Sequence, residues 1–156
     1  MLLLSACGFH PVYGVNKYEN TGVEARFESI AIGNIPDREG QFLRNELIDR
    51  FYRNGTPTSP AYTLTLSPIT QSRRDLDVTI DDDTTRAQLT LGTTMRLTDN
   101  TTKQTVLERK LESTASYNVL GSEFTNRVSE QSTRENVLKD LARRIELQTS
   151  LYFKRQ

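Results

Sequence analysis

From Arg86 to Leu97 the side chains alternate in character. Ala87, Leu89, Leu91, Thr93, Met95 and Leu97 share one parity, and Arg86, Gln88, Thr90, Thr94 and Arg96 share the other. A period of two over this length commits the backbone to an extended strand with one dry face. Asp99-Asn100-Thr101-Thr102 supplies a turn. The return strand carries Leu107, Leu111, Ala115, Tyr117 and Val119 on a single parity, with Arg109 between the first two. Before them, Tyr62, Leu64 and Leu66 alternate with Thr63, Thr65 and Ser67, and Pro68 ends that strand or holds it at an edge. Together these runs predict an antiparallel meander whose apolar face another layer must cover.

Two helical stretches can supply that layer. From Arg38 to Asn54 the apolar residues Phe42, Leu43, Leu47, Ile48, Phe51 and Tyr52 recur at helical spacing, opposite Arg44, Asn45, Glu46, Asp49 and Arg50. Asp37 is placed to cap the start and Gly55 to take a left-handed position after the end, while Pro57 and Pro60 block continuation. After Gly121, Ser122 is placed to cap a long final helix. Its period runs through Phe124, Val128, Val137, Leu138, Leu141, Ala142, Ile145 and Leu151. Between Ser129 and Asn136 the stripe turns polar, so the helix bends there or its middle lies beside something polar.

Phe27, Ile30 and Ile32 add a short strand, closed by Gly33-Asn34 and by Ile35-Pro36, since the residue before a proline is pushed to extended geometry. The order β-α-β-β-β-α predicts an α+β two-layer sandwich: a four-stranded, mostly antiparallel sheet with both helices on one face. The other face is rich in Thr, Ser, Gln and Arg. Such a face suits plain solvation, and equally the water-lined interior of something larger.

The beginning of the chain has a different character. Leu4-Ser5-Ala6-Cys7 is a short apolar run, two small residues and a cysteine, the pattern of a lipobox, at which a bacterial prolipoprotein is lipidated and cut. On that reading Cys7 carries acyl chains, and more than one chain gives stable anchoring where one is marginal. An ordinary N-terminus with a chance cysteine is the alternative. Only Met1, Leu2, Leu3 and Leu4 precede the small residues, whereas a signal needs a basic region and an apolar stretch of about 7 to 15 residues. An upstream start, or a sequence trimmed at its beginning, is therefore expected. The organisation is a truncated lipoprotein signal remnant over 1–6, a lipid-anchored tether over 7–25 and a single α+β domain over 26–156.

Charge and composition exclude other classes. Twenty Lys and Arg balance twenty Asp and Glu, so no global field marks a nucleic-acid binder. No apolar run approaches the roughly 18 residues that span a bilayer, and one cysteine allows no internal disulfide. His10 is the only histidine, and no nucleophile, base and orienting acid can be assembled around it. No catalytic residues, metal site or cofactor are expected beyond a covalent lipid on Cys7. Asp75, Asp77, Asp81, Asp82 and Asp83 invite a calcium reading. They lack the glycine and closing Glu of an EF-hand loop, so a solvated loop is the expectation.

The run Cys7-Gly8-Phe9-His10-Pro11-Val12-Tyr13-Gly14 directly after the lipobox, the strand, helix, meander and closing helix that follow, and the segment Tyr117-Asn118-Val119-Leu120-Gly121-Ser122-Glu123-Phe124 together carry a resemblance. The chain resembles the LPS-assembly lipoprotein family LptE (RlpB) of Gram-negative bacteria over essentially its whole length. The resemblance implies an outer-membrane lipoprotein, anchored in the periplasmic leaflet through Cys7. It further implies that the chain plugs the LptD β-barrel, assists its assembly and helps deliver lipopolysaccharide to the cell surface. Gly8 after the cysteine, rather than Asp, agrees with outer-membrane sorting.

Lipopolysaccharide presents phosphates, which guanidinium pairs in bidentate fashion. The cations on or beside the meander are Arg73, Arg74, Arg86, Arg96, Lys103, Arg109 and Lys110. Arg73, Arg74, Arg86 and Arg96 are the candidate lipopolysaccharide-binding residues, with the Arg73-Arg74 loop preferred. The competing reading of each is pairing with Asp75, Asp77, Glu108 or Glu112, worth little per pair. Other function classes with the same opening are an auxiliary lipoprotein of an envelope ABC transporter and a free-standing structural lipoprotein.

Overall fold

The structure, a computed structural model, describes residues 25–53, 55–76, 85–120 and 122–156. In chain order they form β1 (Ile30–Ile32), α1 (Asp37–Phe51), β2 (Tyr62–Leu66), β3 (Thr70–Leu76), β4 (Thr85–Asp99), β5 (Thr105–Val119) and α2 (Glu123–Lys154). Strand β4 is the spine. β5 lies antiparallel along its whole length, from Thr85 opposite Val119 to Thr98 opposite Thr105. The other edge of β4 is shared in tandem: β2 takes the half around Leu97 and β3 the half around Leu89, both antiparallel. β1 pairs parallel with β2, Ile30 opposite Tyr62, and α1 is the crossover that a parallel pair requires.

The architecture is the expected α+β sandwich, with one strand more than expected. Thr70–Leu76 reads Thr-Gln-Ser-Arg-Arg-Asp-Leu and is exposed almost throughout, so it carries no alternation for a hydrophobic pattern to reveal. Only its ladder to β4 marks it as a strand.

Pro68 ends β2, and the joint to β3 is held by side chains. Ser67 donates its backbone N–H to the Thr94 carbonyl (3.0 Å), and its Oγ accepts from the Thr94 N–H (2.9 Å). The buried Thr93 hydroxyl donates to the Ser67 carbonyl (2.8 Å). These bonds satisfy the polar groups that the interruption of the ladder would otherwise strand.

The core lies between the sheet and the helices. Ala87, Leu89, Leu91, Met95 and Leu97 of β4 are buried together with Leu43, Leu47 and Phe51 of α1 and Val137, Leu138, Leu141, Ala142 and Ile145 of α2. Tyr52, just past α1, fastens β1: its hydroxyl donates to the Ile30 carbonyl (2.7 Å) and accepts from the Ile32 N–H (3.0 Å). On the return strand, Ser113 donates to Asp140 of α2 (2.8 Å), which also holds Arg144 (2.6 Å) and Arg143.

Several boundaries differ from expectation. Residues 25–27 form a helical turn rather than strand, closed by bonds from Ser29 to the Arg26 carbonyl, with Phe27 stacked 4.5 Å from Phe51. Asp37 does not cap α1. Pro36 holds the N-cap position, without a side-chain bond, and Asp37 begins the helix at φ 68°. The helix ends at Phe51, not Asn54, with the Tyr52 N–H bonded to Ile48; Gly55 does have φ 112°, but beyond that end. Ser122 stands at the N-cap of α2 without a side-chain bond. The amide of Asn126 makes the tie instead, accepting from the Leu120 N–H and donating to its carbonyl (2.6 Å each). Phe124, Val128 and Leu151, expected in the apolar stripe, are 77%, 54% and 38% exposed. The Asp99 turn is as expected, its carboxylate accepting from the Thr101 and Thr102 N–H groups (2.7 and 2.9 Å). Asp77 and Asp81 to Asp83 lie outside the described residues.

Two outcomes are expected. A Cβ at Gly40 would stand 2.7 Å from Ile35 Cγ2 and 3.1 Å from its backbone carbon. Gly40→Ala should therefore cost about 1–3 kcal/mol in urea unfolding, with the slope unchanged. Arg143, Arg144 and Ser113 hold the Asp140 carboxyl well below the usual carboxylate range. The unfolded chain thus binds this proton more readily than the native one, so the stabilisation is complete above about pH 4 and is lost as pH falls further. Urea midpoints between pH 7 and pH 2.5 should fall more steeply for the native sequence than for Asp140→Asn.

Candidate functional site

At the end of the sheet where β3 finishes, β4 begins and β5 delivers the chain to α2, strand geometry sorts the cations by face. Gln71, Arg73 and Asp75 stand opposite Leu91, Leu89 and Ala87, on the side that the helices cover. Ser72, Arg74 and Leu76 stand opposite Thr90, Gln88 and Arg86, on the open side. Arg73 and Arg74, expected as one loop, are neighbours in sequence that face opposite layers.

Arg73 enters a network with the polar middle of α2. Its guanidinium pairs with Asp75 (3.2 Å) and Glu130 (3.8 Å) and lies 6.0 Å from the ring centroid of Tyr117. The Tyr117 hydroxyl donates to Glu130 (3.1 Å), and Glu130 also holds Arg134 (2.8 Å). Arg134 reaches on to Glu39 of α1 (3.4 Å) and to Gln71. Burial, then the Glu130 carboxylate, push the Tyr117 phenol above its ordinary value, keeping it a neutral donor. α2 runs without interruption through Ser129–Asn136, so its thin stripe is explained by this polar seam. A cleft of about 210 Å³ opens beside it, lined by Arg73, Tyr117, Val119, Asn126, Arg127 and Glu130 among others.

Arg74 and Arg86 sit diagonally on neighbouring strands of the open face, a spacing of about 7–8 Å between backbones. Neither makes an ion pair among the described residues. Around them stand Gln88, Thr90, Thr114, Ser116 and Asn118, neutral hydrogen-bonding side chains of the same face. Arg96 lies ten residues farther along β4, roughly 33 Å away, and is held by Glu108 on β5 (3.1 Å). The four candidates therefore resolve into a pair that is free among the described residues, Arg74 with Arg86, and two engaged residues, Arg73 and Arg96. Lys110 pairs with Glu112 within β5 (2.9 Å), and Arg109 bonds the Glu108 carbonyl (2.7 Å).

The same end carries exposed apolar groups, two of which, Phe124 and Val128, the sequence reading had assigned to packing. Leu120 is 42% exposed, and with Phe124 and Val128 it borders the cleft residues Asn126 and Arg127. The two faces offer different chemistry: on the open face a pair of guanidiniums without carboxylate partners among the described residues can receive a phosphate, and on the helix side Phe124 and Val128 of α2 expose an apolar rim. No group of three or more His, Cys, Asp or Glu side chains suited to a metal occurs among the described residues, and no described helix is long and apolar enough to cross a membrane. Cys7 and the Gly8–Gly14 run lie outside the described residues. Glu130, Asn126 and Arg127 escaped sequence reasoning. The available signal was Tyr117, whose hydroxyl on an apolar face needs a polar partner.

A sequence-family model described as LptE, Lipopolysaccharide-assembly, matches residues 27–149. Among solved structures, a Caulobacter crescentus chain described as a lipoprotein is similar at 23% identity and TM-score 0.68, over 86% of this chain and 98% of that one. A minor lipoprotein from Acinetobacter baumannii is similar at 23% identity and TM-score 0.64, over 78% and 90%. Rare lipoprotein B from Shewanella oneidensis shares the fold at 12% identity and TM-score 0.54, over 80% and 93%. No curated protein matches the chain.

The seam yields a double-mutant test. Arg73→Ala and Glu130→Ala should each destabilise the fold by about 1 kcal/mol, and the double variant by less than their sum, because both remove one interaction. Strict additivity in urea unfolding would mean that the two side chains do not interact.

Proposed function

The chain belongs to the LptE lipopolysaccharide-assembly family, and from that premise we propose that it is a lipid-anchored outer-membrane lipoprotein that plugs the LptD β-barrel and helps deliver lipopolysaccharide. The family is one of non-enzymatic envelope lipoproteins acting in lipopolysaccharide assembly. Cys7 is the proposed lipidation site and the periplasmic leaflet the proposed location of the anchor.

The observation that carries the reading is the open face of the sheet. Along β4 and β5 it presents Thr90, Thr94, Thr114, Ser116 and Asn118, with Gln88 and the Arg74–Arg86 pair toward one end. Such a face keeps its hydrogen-bonding groups satisfied by water, so it tolerates a wet barrel lumen at little desolvation cost. Phosphate arriving through the lumen meets Arg74 and Arg86 without first displacing a carboxylate of the described residues. We assign direct lipopolysaccharide contact to this pair and to neither Arg73 nor Arg96, whose guanidiniums are already paired. The family match favours this reading over a transporter accessory.

Affinity recovery of the full-length, exported protein from detergent-solubilised outer membranes should bring down a stoichiometric β-barrel, and the N-terminal peptide should carry acyl chains on Cys7. Arg74→Glu combined with Arg86→Glu should lower lipopolysaccharide retention roughly tenfold or more while barrel recovery is unchanged. An acylated protein recovered without a barrel would sink the plug reading, and unaltered lipopolysaccharide retention in the double variant would sink the assignment of the pair.

A further inference from the structure

The C-terminal half of α2 differs in charge from the rest of the helix. Residues 139–156 hold five cations, Lys139, Arg143, Arg144, Lys154 and Arg155, against Asp140 and Glu146, whereas residues 122–138 hold Arg127 and Arg134 against three glutamates. Glu146 is turned toward α1, where it pairs with Arg50 (3.1 Å). Asp140 is occupied by Arg143, Arg144 and Ser113.

At 100° per residue, Arg143, Leu147, Leu151 and Lys154 fall on one line, opposite the buried line of Leu138, Ala142, Ile145 and Thr149. Leu147 and Leu151 are 54% and 38% exposed there. Nothing in the core explains two leucines on the side of the helix that points away from it. The described chain also begins at this end, with the Arg26 guanidinium 5.7 Å from the Phe153 ring centroid.

We propose that this ridge is an interfacial surface that lies on an anionic phospholipid leaflet, with Leu147 and Leu151 entering the acyl boundary and Lys154, Arg155 and the one positive charge that Arg143 and Arg144 hold in excess of their shared partner Asp140 meeting lipid phosphates. Apolar residues flanked by cations on the outward line of a helix match the chemistry of a negatively charged interface on both counts. The complementarity is specific to this half, because Phe124 and Val128 are also exposed but lie in the acidic half. The ridge rests on the membrane-associated reading above and adds to it a second point of contact besides the acyl chain. It would hold the domain against the leaflet rather than at the end of a loose tether.

The test uses the full chain with Cys7→Ser, so that no acyl anchor contributes and the anchor reading stands or falls separately, on the mass of the N-terminal peptide. The sequence contains no tryptophan, so Leu147→Trp or Leu151→Trp makes a sole indole fluorophore on the ridge, and Phe124→Trp makes one at the other end of the helix. The probes are vesicles of phosphatidylcholine with and without phosphatidylglycerol. Emission from Leu147→Trp and Leu151→Trp should shift to the blue with the anionic vesicles only, and the shift should fade at high salt. Phe124→Trp should not shift. Adding Arg143→Gln and Lys154→Gln should lower vesicle partitioning roughly tenfold or more. No shift at either ridge position, an equal shift at Phe124→Trp, or partitioning indifferent to the two Gln substitutions overturns the proposal. So does photocrosslinking from position 147 in intact envelopes to a protein rather than to lipid.

Discussion

Everything in this fold is referred to one strand. β4 alone pairs with three others among the described strands, and the joint at Ser67 and Thr93 decides how two of them divide its edge. A fifteen-residue strand with a partner along one edge only would leave its remaining N–H and C=O groups to water or to other chains. The Thr93 hydroxyl and the Ser67 Oγ let the chain change partners without leaving a buried polar group alone, at a point where Pro68 forbids a continuous ladder. The rest of the sheet inherits its register from that arrangement, and both helices then close over the parity that β4 sets.

The parts of this architecture written in hydrophobic period were legible in the sequence. The alternations of β2 and β4 name buried residues almost one for one, and those of β5 and the 3.6 period of α1 name residues of the core and of its partly buried margin, because burial was the cause of the pattern. β3 was not legible for the complementary reason. It buries almost nothing, and what makes it a strand is backbone pairing, to which side-chain chemistry is indifferent. The same blindness affected the candidate site. Without β3 as a strand, Arg73 and Arg74 could be read as one basic loop, whereas the pleat sends one to Glu130 and Tyr117 and the other to the open face. Asp37 does not cap because the helix begins on it, with Pro36 at the N-cap; Ser122 takes the N-cap position without a side-chain bond, and ties at Tyr52 and Asn126 do the fastening.

Charge pairing separates the interior functions of the molecule from the exterior ones. Glu130 and Arg134 join α2 to β3, to β5 and to α1, so the polar middle of the helix is a structural seam rather than a binding surface. The open face has a different character: its guanidiniums at Arg74 and Arg86 are free among the described residues, the groups around them are neutral, and its other charges, Arg96 with Glu108 and Lys110 with Glu112, pair farther along the strands. A chain with no net charge thereby keeps local cations available, because its carboxylates are committed elsewhere.

The tandem placement of β2 and β3 also bears on how such a domain can change over generations. Ser67-Pro68-Ile69 lies between two ladders that are anchored independently to β4. Gain or loss of a single codon in that joint would turn β3 over while leaving β2 in place. Arg74 would then face the helices, and Arg73 the open side. Because neither face of β3 contributes to the apolar core, such an inversion would redraw the charge map of the exterior while leaving the core intact, its cost confined to the contacts of Arg73 and Gln71 with Glu130 and Arg134. The short seam behind Pro68 is in that sense a hinge in inheritance rather than in motion, a place where descendants can exchange an inward cation for an outward one in one step.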